Sequence, residues 1–192
     1  MEDNMNDKVQ KVIDRLEQEP KQGESYDQKG RHGWRNPIRA DTGVILQILA
    51  ATKKPRQALE IGTARGLSLC YLALGSPETV FTTIEWDEQT AQEARANFKE
   101  AGLKVRVLCG DAVKIIPTLD RSFELLFLDA NKDGYLEQFR LLQTYNLLSP
   151  NCLVIADNVI DRQSECQNFL DFMQTYPNAV LKTDCGLFIA TI

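Results

Sequence analysis

The hydrophobic residues change their period along the chain. Between Asn6 and about Glu19, Val9, Val12, Ile13 and Leu16 recur at helical spacing and Pro20 follows, which predicts an amphipathic helix. Lys21 to Asn36 is rich in Gly, Lys, Gln and Arg and reads as a loop. Asp41 or Thr42 is placed to cap a second helix reaching about Ala51, with Val44, Ile45, Ile48 and Leu49 as its apolar face. The turn Lys53-Lys54-Pro55 ends it.

From Ala58 onward, short apolar runs alternate with helical patterns. Ala58, Leu59 and Ile61 make a first strand, Gly62 and Gly66 a turn, and Leu67, Cys70, Tyr71 and Leu74 a helix. Val80 to Glu85 is a second strand, followed by a polar helix from about Asp87 to Ala101 that stops at Gly102. Lys104 to Leu108 is a third strand, and Ala112 to Leu119 a short helix carrying Pro117. Phe123 to Leu128 is almost wholly apolar, the pattern of a strand buried on both faces. A helix from about Tyr135 to Leu148, a strand from Cys152 to Ala156, a helix from about Ser164 to Thr175 and strands near Ala179 to Lys182 and Leu187 to Thr191 complete the series. Such alternation predicts an α/β layered fold with a mainly parallel sheet, helices on both faces and an antiparallel C-terminal edge. The 192 residues read as one domain, with helices and a loop over 1–52 and the core over 53–192.

Composition narrows the possibilities. The formal charge of −5 does not favour nucleic acid or a membrane surface as partner, and the polar start MEDNMNDK with no long apolar run predicts a cytoplasmic protein. Five cysteines (Cys70, Cys109, Cys152, Cys166, Cys185) lie scattered, mostly in apolar runs and without C-x-x-C spacing, so they read as buried thiols. One stretch departs from the acidic total: Lys29, Arg31, His32, Arg35 and Arg39 surround Trp34, either a solvated loop or a contact for an anionic substrate.

In parallel sheets ligands bind beyond the carboxyl ends of the strands, and acids end nearly every strand here: Glu60, Glu85, Asp111, Asp129 and Asp157. One such acid commonly caps a helix, but several on one rim repel unless a cation or ligand hydroxyls use them. The Gly62–Gly66 turn can admit a nucleotide-like cofactor close to the backbone. Glu85 stands where an acid accepts from a ribose diol, and Asp111 where it can reach an adenine amine. The turn lacks the third glycine of a dinucleotide fingerprint, so a nicotinamide dehydrogenase is the lesser option. Asp129, Asp157 and Asn158 offer only oxygen, the ligand chemistry of Mg²⁺ or Ca²⁺. Lys132, three residues past Asp129, is either a salt-bridged surface lysine or a general base made available by a nearby cation and partial burial.

At these residues the chain resembles the cation-dependent O-methyltransferases, the group of catechol and caffeoyl-CoA O-methyltransferases that use S-adenosylmethionine. LEIGTARGLS, TIEWD, GDA, FLDANKDGY and ADNV follow in order on matching strand ends. The resemblance implies a Rossmann-like seven-stranded sheet, mainly parallel with its last strand antiparallel. It also implies that Glu60, Gly62 and Ser68 hold the methionine part of the cofactor, Glu85 the ribose, and Asp111 and Ala112 the adenine. Ile38 matches a backbone contact near the cofactor's amino-acid end, Asp129 serves the cofactor side as well as the metal, and Trp34 falls near an aromatic wall of the acceptor site. Asp129, Asp157 and Asn158 would bind Mg²⁺, or Mn²⁺ or Ca²⁺, with Lys132 as base. The expected acceptor is a small hydroxylated molecule such as a catechol or polyphenol; a hydroxylated base in transfer RNA is the alternative, and a homodimer is compatible. A module that binds cofactor without activity is disfavoured by the intact Asp129, Lys132, Asp157 and Asn158 set. Val159-Ile160-Asp161-Arg162 passes quickly into a helix where the family usually has a longer segment, which predicts an open acceptor site.

Overall fold

The change of period near Ala58 marks the start of the sheet. The computed structural model describes residues 4–18, 25–26, 32–33 and 38–192. Helix α1 (Met5–Gln18) buries Val9, Val12, Ile13 and Leu16, the stripe expected from the sequence. Two short strands, β1 (Ser25–Tyr26) and β2 (His32–Gly33), pair antiparallel, and α2 (Ala40–Lys53) follows. Trp34, Arg31 and Arg35 lie outside the described residues.

The expected alternation then appears as β3 (Gln57–Ile61), α3 (Leu67–Gly75), β4 (Val80–Glu85), α4 (Glu88–Glu100), β5 (Val105–Cys109) and α5 (Ala112–Ile115). It continues with β6 (Phe123–Leu128), α6 (Tyr135–Thr144), β7 (Leu148–Ala156), α7 (Gln163–Met173), β8 (Asn178–Leu181) and β9 (Leu187–Thr191). Strands β3 to β9 form one seven-stranded sheet in the order β5-β4-β3-β6-β7-β9-β8. Strands β3 to β7 pair parallel, and β9 runs antiparallel between β7 and β8. The last strand is therefore antiparallel as expected, but it is inserted one place in from the edge. The chain leaves β3 toward β4 and β5 and returns to β6 on the other side, so the strand order reverses between β3 and β6, where open α/β sheets bind ligands.

Alternation along the central strands sorts the core onto two faces. Leu125, Phe127, Leu153 and Ile155 join the cluster under α1 to α4, while Leu126, Leu128, Val154 and Ala156 join the cluster under α6 and α7. Strand β7 begins four residues before the expected Cys152, because its register against β6 jumps between Phe123 and Leu125. Pro150 sits in that irregular stretch, where its missing N–H interrupts no regular ladder. Of the cysteines, Cys70, Cys152 and Cys166 are buried and Cys109 and Cys185 are partly exposed; all five are free thiols.

The expected apolar face of α2 needs correction. Val44 is 48% and Ile48 58% exposed, whereas Thr42, Gly43, Leu46 and Ala50 are buried. The reason is close helix packing. A Cβ on Gly43 would stand 2.3 Å from the Tyr71 ring, and one on Gly75 would stand 2.1 Å from the Gln47 carbonyl oxygen. The small-residue face meets α3, so the helix is rotated: Ile45 and Leu49 of the expected face still pack against the core, and Val44 and Ile48 are turned outward. The expected caps also differ: Arg39 precedes the helix without a side-chain cap bond, and Asp41 accepts from the Thr42 N–H. Leu46→Ala should therefore lower stability by about 2–5 kcal/mol, and Ile48→Ala by under about 0.5 kcal/mol, in urea unfolding. Equal losses would restore the face expected from periodicity.

Candidate active site

Continuation of the sheet's hydrogen bonds past the strand ends builds the site. Gly62 N–H donates to the Ile84 carbonyl at 2.9 Å, Asp129 N–H to Ile61 at 2.8 Å, and Asp157 N–H to Leu128 at 3.0 Å. These bonds align the residues after β3, β6 and β7 on one rim. Gly62 has φ +100°, and a Cβ there would lie 2.4 Å from the Asp129 carbonyl oxygen, so only glycine lets the turn close on the acid's backbone. Gly66, at φ +87°, starts α3 against the Phe98 ring.

Below this turn, Glu60 is buried at the second-to-last position of β3. Its Oε1 lies 2.5 Å from Ser68 Oγ in the first turn of α3, and its Oε2 lies 2.6 Å from Thr83 Oγ1 on β4. Thr63 Oγ1 is in turn 2.5 Å from Thr83 Oγ1. Burial, opposed by the two hydroxyls and reinforced by Asp129 and Glu85, leaves the Glu60 carboxyl pushed up to about 8. Periodicity had marked Thr83 only as a strand former; its register opposite Glu60 gives it a second part.

Glu85 accepts from Ala64 N–H at 2.8 Å and Asp87 N–H at 3.1 Å, so the expected ribose acid also fastens the glycine turn. Its carboxyl is raised by burial and lowered by these backbone bonds. Ala64 holds φ +45°, a conformation uncommon outside glycine, and the bond to Glu85 secures it. Gly110 N–H donates to the Glu85 carbonyl at 2.8 Å, bringing the β5 end beside it. Asp111 there accepts from Val113 N–H as the cap of α5, which begins at Ala112. Ile38 is buried among the residues packed under α3, ahead of α2.

On the other side of Gly62, Lys132 Nζ donates to Asp129 Oδ1 at 2.8 Å, and both side chains are largely buried. The same Nζ stands 5.4 Å from the centre of the Tyr135 ring. The salt bridge of the surface-lysine reading is present, but Lys132 is buried rather than on the surface. Asp129 is raised by burial, with Lys132 opposing. Asp157 is 4% exposed and its Oδ1 is buried with no hydrogen-bond partner among the described residues. Burial, and then the charge of Asp129, push its carboxyl up to about 7. Tyr135 hydroxyl donates to the Asp157 carbonyl at 3.1 Å, a brace that the sequence did not reveal. Asn158 has φ +61°, a conformation asparagine tolerates better than most residues, and its Nδ2 donates to Asp161 at 3.3 Å. Val159, Ile160 and Asp161 N–H groups bond to carbonyls of Cys185 and Gly186, tying this loop to the β8–β9 turn.

An orphaned buried carboxylate oxygen, a second raised acid and a neutral amide on consecutive strand tips suit a hard divalent cation. Among the described residues no group of three or more His, Cys, Asp or Glu side chains forms a closed metal cage, and an open site of this composition does not require one. No helix of the described residues is long and apolar enough to cross a membrane.

Comparison with known proteins bears on this geometry. A catechol O-methyltransferase of Niastella koreensis is 34% identical over 130 residues, 64% of this chain and 58% of the relative. One of Mycobacterium tuberculosis is 34% identical over 127 residues, 64% of this chain and 57% of the relative. The chain thus spans less than two thirds of the length of these relatives. Among solved structures, a methyltransferase of Podospora anserina bound to S-adenosylhomocysteine (SAH) shares the fold with a TM-score of 0.78 at 21% identity, over 96% of this chain and 87% of that one. An O-methyltransferase of Bacillus cereus in complex with SAH gives 0.75 at 24% identity, over 100% and 92%. A model of the O-methyltransferase family matches residues 26–171, a span holding the glycine turn, every acid of the rim, Lys132 and Asn158, and the chain belongs to that family.

Proposed function

We propose that this protein is an S-adenosylmethionine-dependent, divalent-metal-dependent O-methyltransferase acting on a hydroxyl of a catechol-like or polyphenolic small molecule. The observation that carries the reading is the buried Asp157 Oδ1, without a partner among the described residues, on the same rim as the Lys132–Asp129 pair and the glycine turn. Asp129, Asp157 and Asn158 would hold the cation, and Glu60, Gly62, Ser68, Glu85, Asp111 and Ala112, with Ile38, would line the methyl donor's place. When bound, the cation acidifies an acceptor hydroxyl and the sulfonium compound supplies the methyl group.

The chain's own residues would do the rest. Lys132 Nζ, held by Asp129 Oδ1, is directed to take the acceptor's proton, after which the acceptor oxygen attacks in line. Tyr135 fixes the backbone of Asp157, and the loop bonds of 159–161 fix that of Asn158. Burial excludes water from Lys132 and Asp157. The alternative acceptor, a hydroxylated base in transfer RNA, draws on the basic stretch around Trp34 in the sequence.

The direct assay is methyl transfer from S-adenosylmethionine to a catechol acid with Mg²⁺ or chelator. Turnover should need the metal and vanish in Asp157→Ala, while Lys132→Ala should lose about 10²- to 10⁴-fold in kcat. Donor binding without catechol turnover would move the acceptor to RNA, tested by a salt-sensitive gel shift lost in Arg31→Glu plus Arg35→Glu.

Protons and the cation compete for the same oxygens. Asp157 has a raised pKa in the folded protein, so metal-free stability should fall as pH rises from the unfolded value of about 4 through about 7, where the folded state gives up its proton. Added Mg²⁺ should accordingly raise Tm above pH 7 and have little effect at pH 5. A shift of the same size at both pH values, or its survival in Asp157→Asn, would sink the metal assignment.

A further inference from the structure

Of the acids at the strand tips, Asp129 has a lysine and Glu85 and Asp111 have backbone N–H groups, whereas Glu60 is buried with only hydroxyls as its hydrogen-bond partners among the described residues. Both of its oxygens face hydroxyls, Ser68 on one side and Thr83 on the other, and Thr83 is itself joined to Thr63. The four groups form one unbranched chain, Thr63–Thr83–Glu60–Ser68, of which Thr83 is wholly buried and Ser68 and Thr63 nearly so. Each hydroxyl owns one hydrogen, so the chain has to choose a direction. If Glu60 is an anion, Ser68 must give its hydrogen to Glu60 and can only accept from a ligand. A neutral Glu60 allows two directions. With the proton on Oε2, it donates to Thr83, Thr83 to Thr63, and Ser68 still donates to Oε1. With the proton on Oε1, Thr63 donates to Thr83, Thr83 to Oε2 and Glu60 to Ser68, whose own hydrogen is then free for a ligand acceptor that selects this second direction.

We propose that Glu60 works as a neutral carboxylic acid, and that the chain from Thr63 through Thr83 and Glu60 makes Ser68 an outward hydrogen-bond donor for a carboxylate of the bound ligand. This rests on the methyl-donor reading above, whose methionine part supplies such a carboxylate. The surroundings of Glu60 favour the neutral form. Ser68 and Cys70 reach it from α3, Thr83 and Glu85 from β4, Thr63 from the turn and Asp129 from the end of β6. The charged members among the principal influences, Glu85 and Asp129, are both acids. A buried anion with two like charges nearby costs free energy that two hydroxyls only partly recover. The upward displacement of its carboxyl to about 8 agrees with this. Thr63, Thr83 and Glu60 are on this view positioning residues, and Ser68 alone touches the ligand.

The test is calorimetric binding of SAH by the full chain from pH 6 to 9.5, beside the analogue lacking its carboxylate. Glutamine keeps one acceptor and one donor in the shape of a neutral acid. Glu60→Gln should therefore still prefer SAH to the decarboxylated analogue at pH 7. Wild-type preference should decline as pH rises through about 8, because loss of the proton turns Ser68 back toward Glu60, and the glutamine variant should lack that decline. The ligand's own titration is common to both proteins and cancels. Thr83→Val should lower the preference by about tenfold, the worth of a hydrogen bond to a charged group, and Thr83→Ser should recover it. Thr63→Val, one link further away, should lower it less and serves if Thr83→Val does not fold. A folded Glu60→Gln that loses the preference at pH 7 overturns the proposal, because the anion is then the working form. Equal weakening of both ligands by the threonine variants also overturns it, leaving only a packing role. Wild-type protein that binds neither ligand at any pH overturns instead the methyl-donor reading on which the proposal stands.

Discussion

At the molecule's working end the backbone at Gly62 lies so near the carbonyl of Asp129 that no Cβ fits between them. Two strands that are neighbours in the sheet but far apart in sequence meet there, at the reversal of strand order. Because no Cβ intervenes, Asp129 N–H can bond to Ile61 and Gly62 N–H to Ile84, extending the ladder beyond the strands. The glycine turn and the acidic rim are thereby parts of one rigid surface. Glu85 fastens the turn from one side and Ser68 stands in the first turn of α3 on the other, so both halves of the site are anchored to this contact.

That surface gathers carboxylates where burial makes charge costly. Asp129, Asp157, Glu60 and Glu85 are all displaced upward, with burial as the leading cause. Each is accommodated differently. Asp129 has a lysine, Glu85 has backbone N–H groups, Glu60 has hydroxyls, and Asp157 keeps one oxygen without a partner among the described residues. A fold selected for stability alone would gain by replacing such groups with apolar ones. Their collection on one rim is the composition of a ligand-binding surface rather than of a core built for stability.

Away from the rim, the molecule is held by packing with little spare room. Helices α2 and α3 touch through Gly43 and Gly75, so close that side-chain size decides which face of α2 goes inward. Of the four residues that hydrophobicity alone assigns to the core, Ile45 and Leu49 pack against it, and Val44 and Ile48 point outward. A helix that is apolar around much of its circumference carries no clear period, and the partner's shape then settles its rotation.

The sequence by itself determined the succession of strands and helices, the mainly parallel sheet, the stripe on α1 and the acids at the strand tips, because period, glycine and strand-end position are local signals. It also placed Lys132 three residues after Asp129, which one tight turn converts into contact. Only the tertiary structure decided that β9 lies inside β8, that Thr83 stands opposite Glu60, that Tyr135 braces Asp157 and that α2 turns its smaller residues inward. Those facts depend on which distant segments become neighbours. Pairing across a sheet and clearance between helices are properties of two surfaces at once, and neither surface is written in the period of one segment.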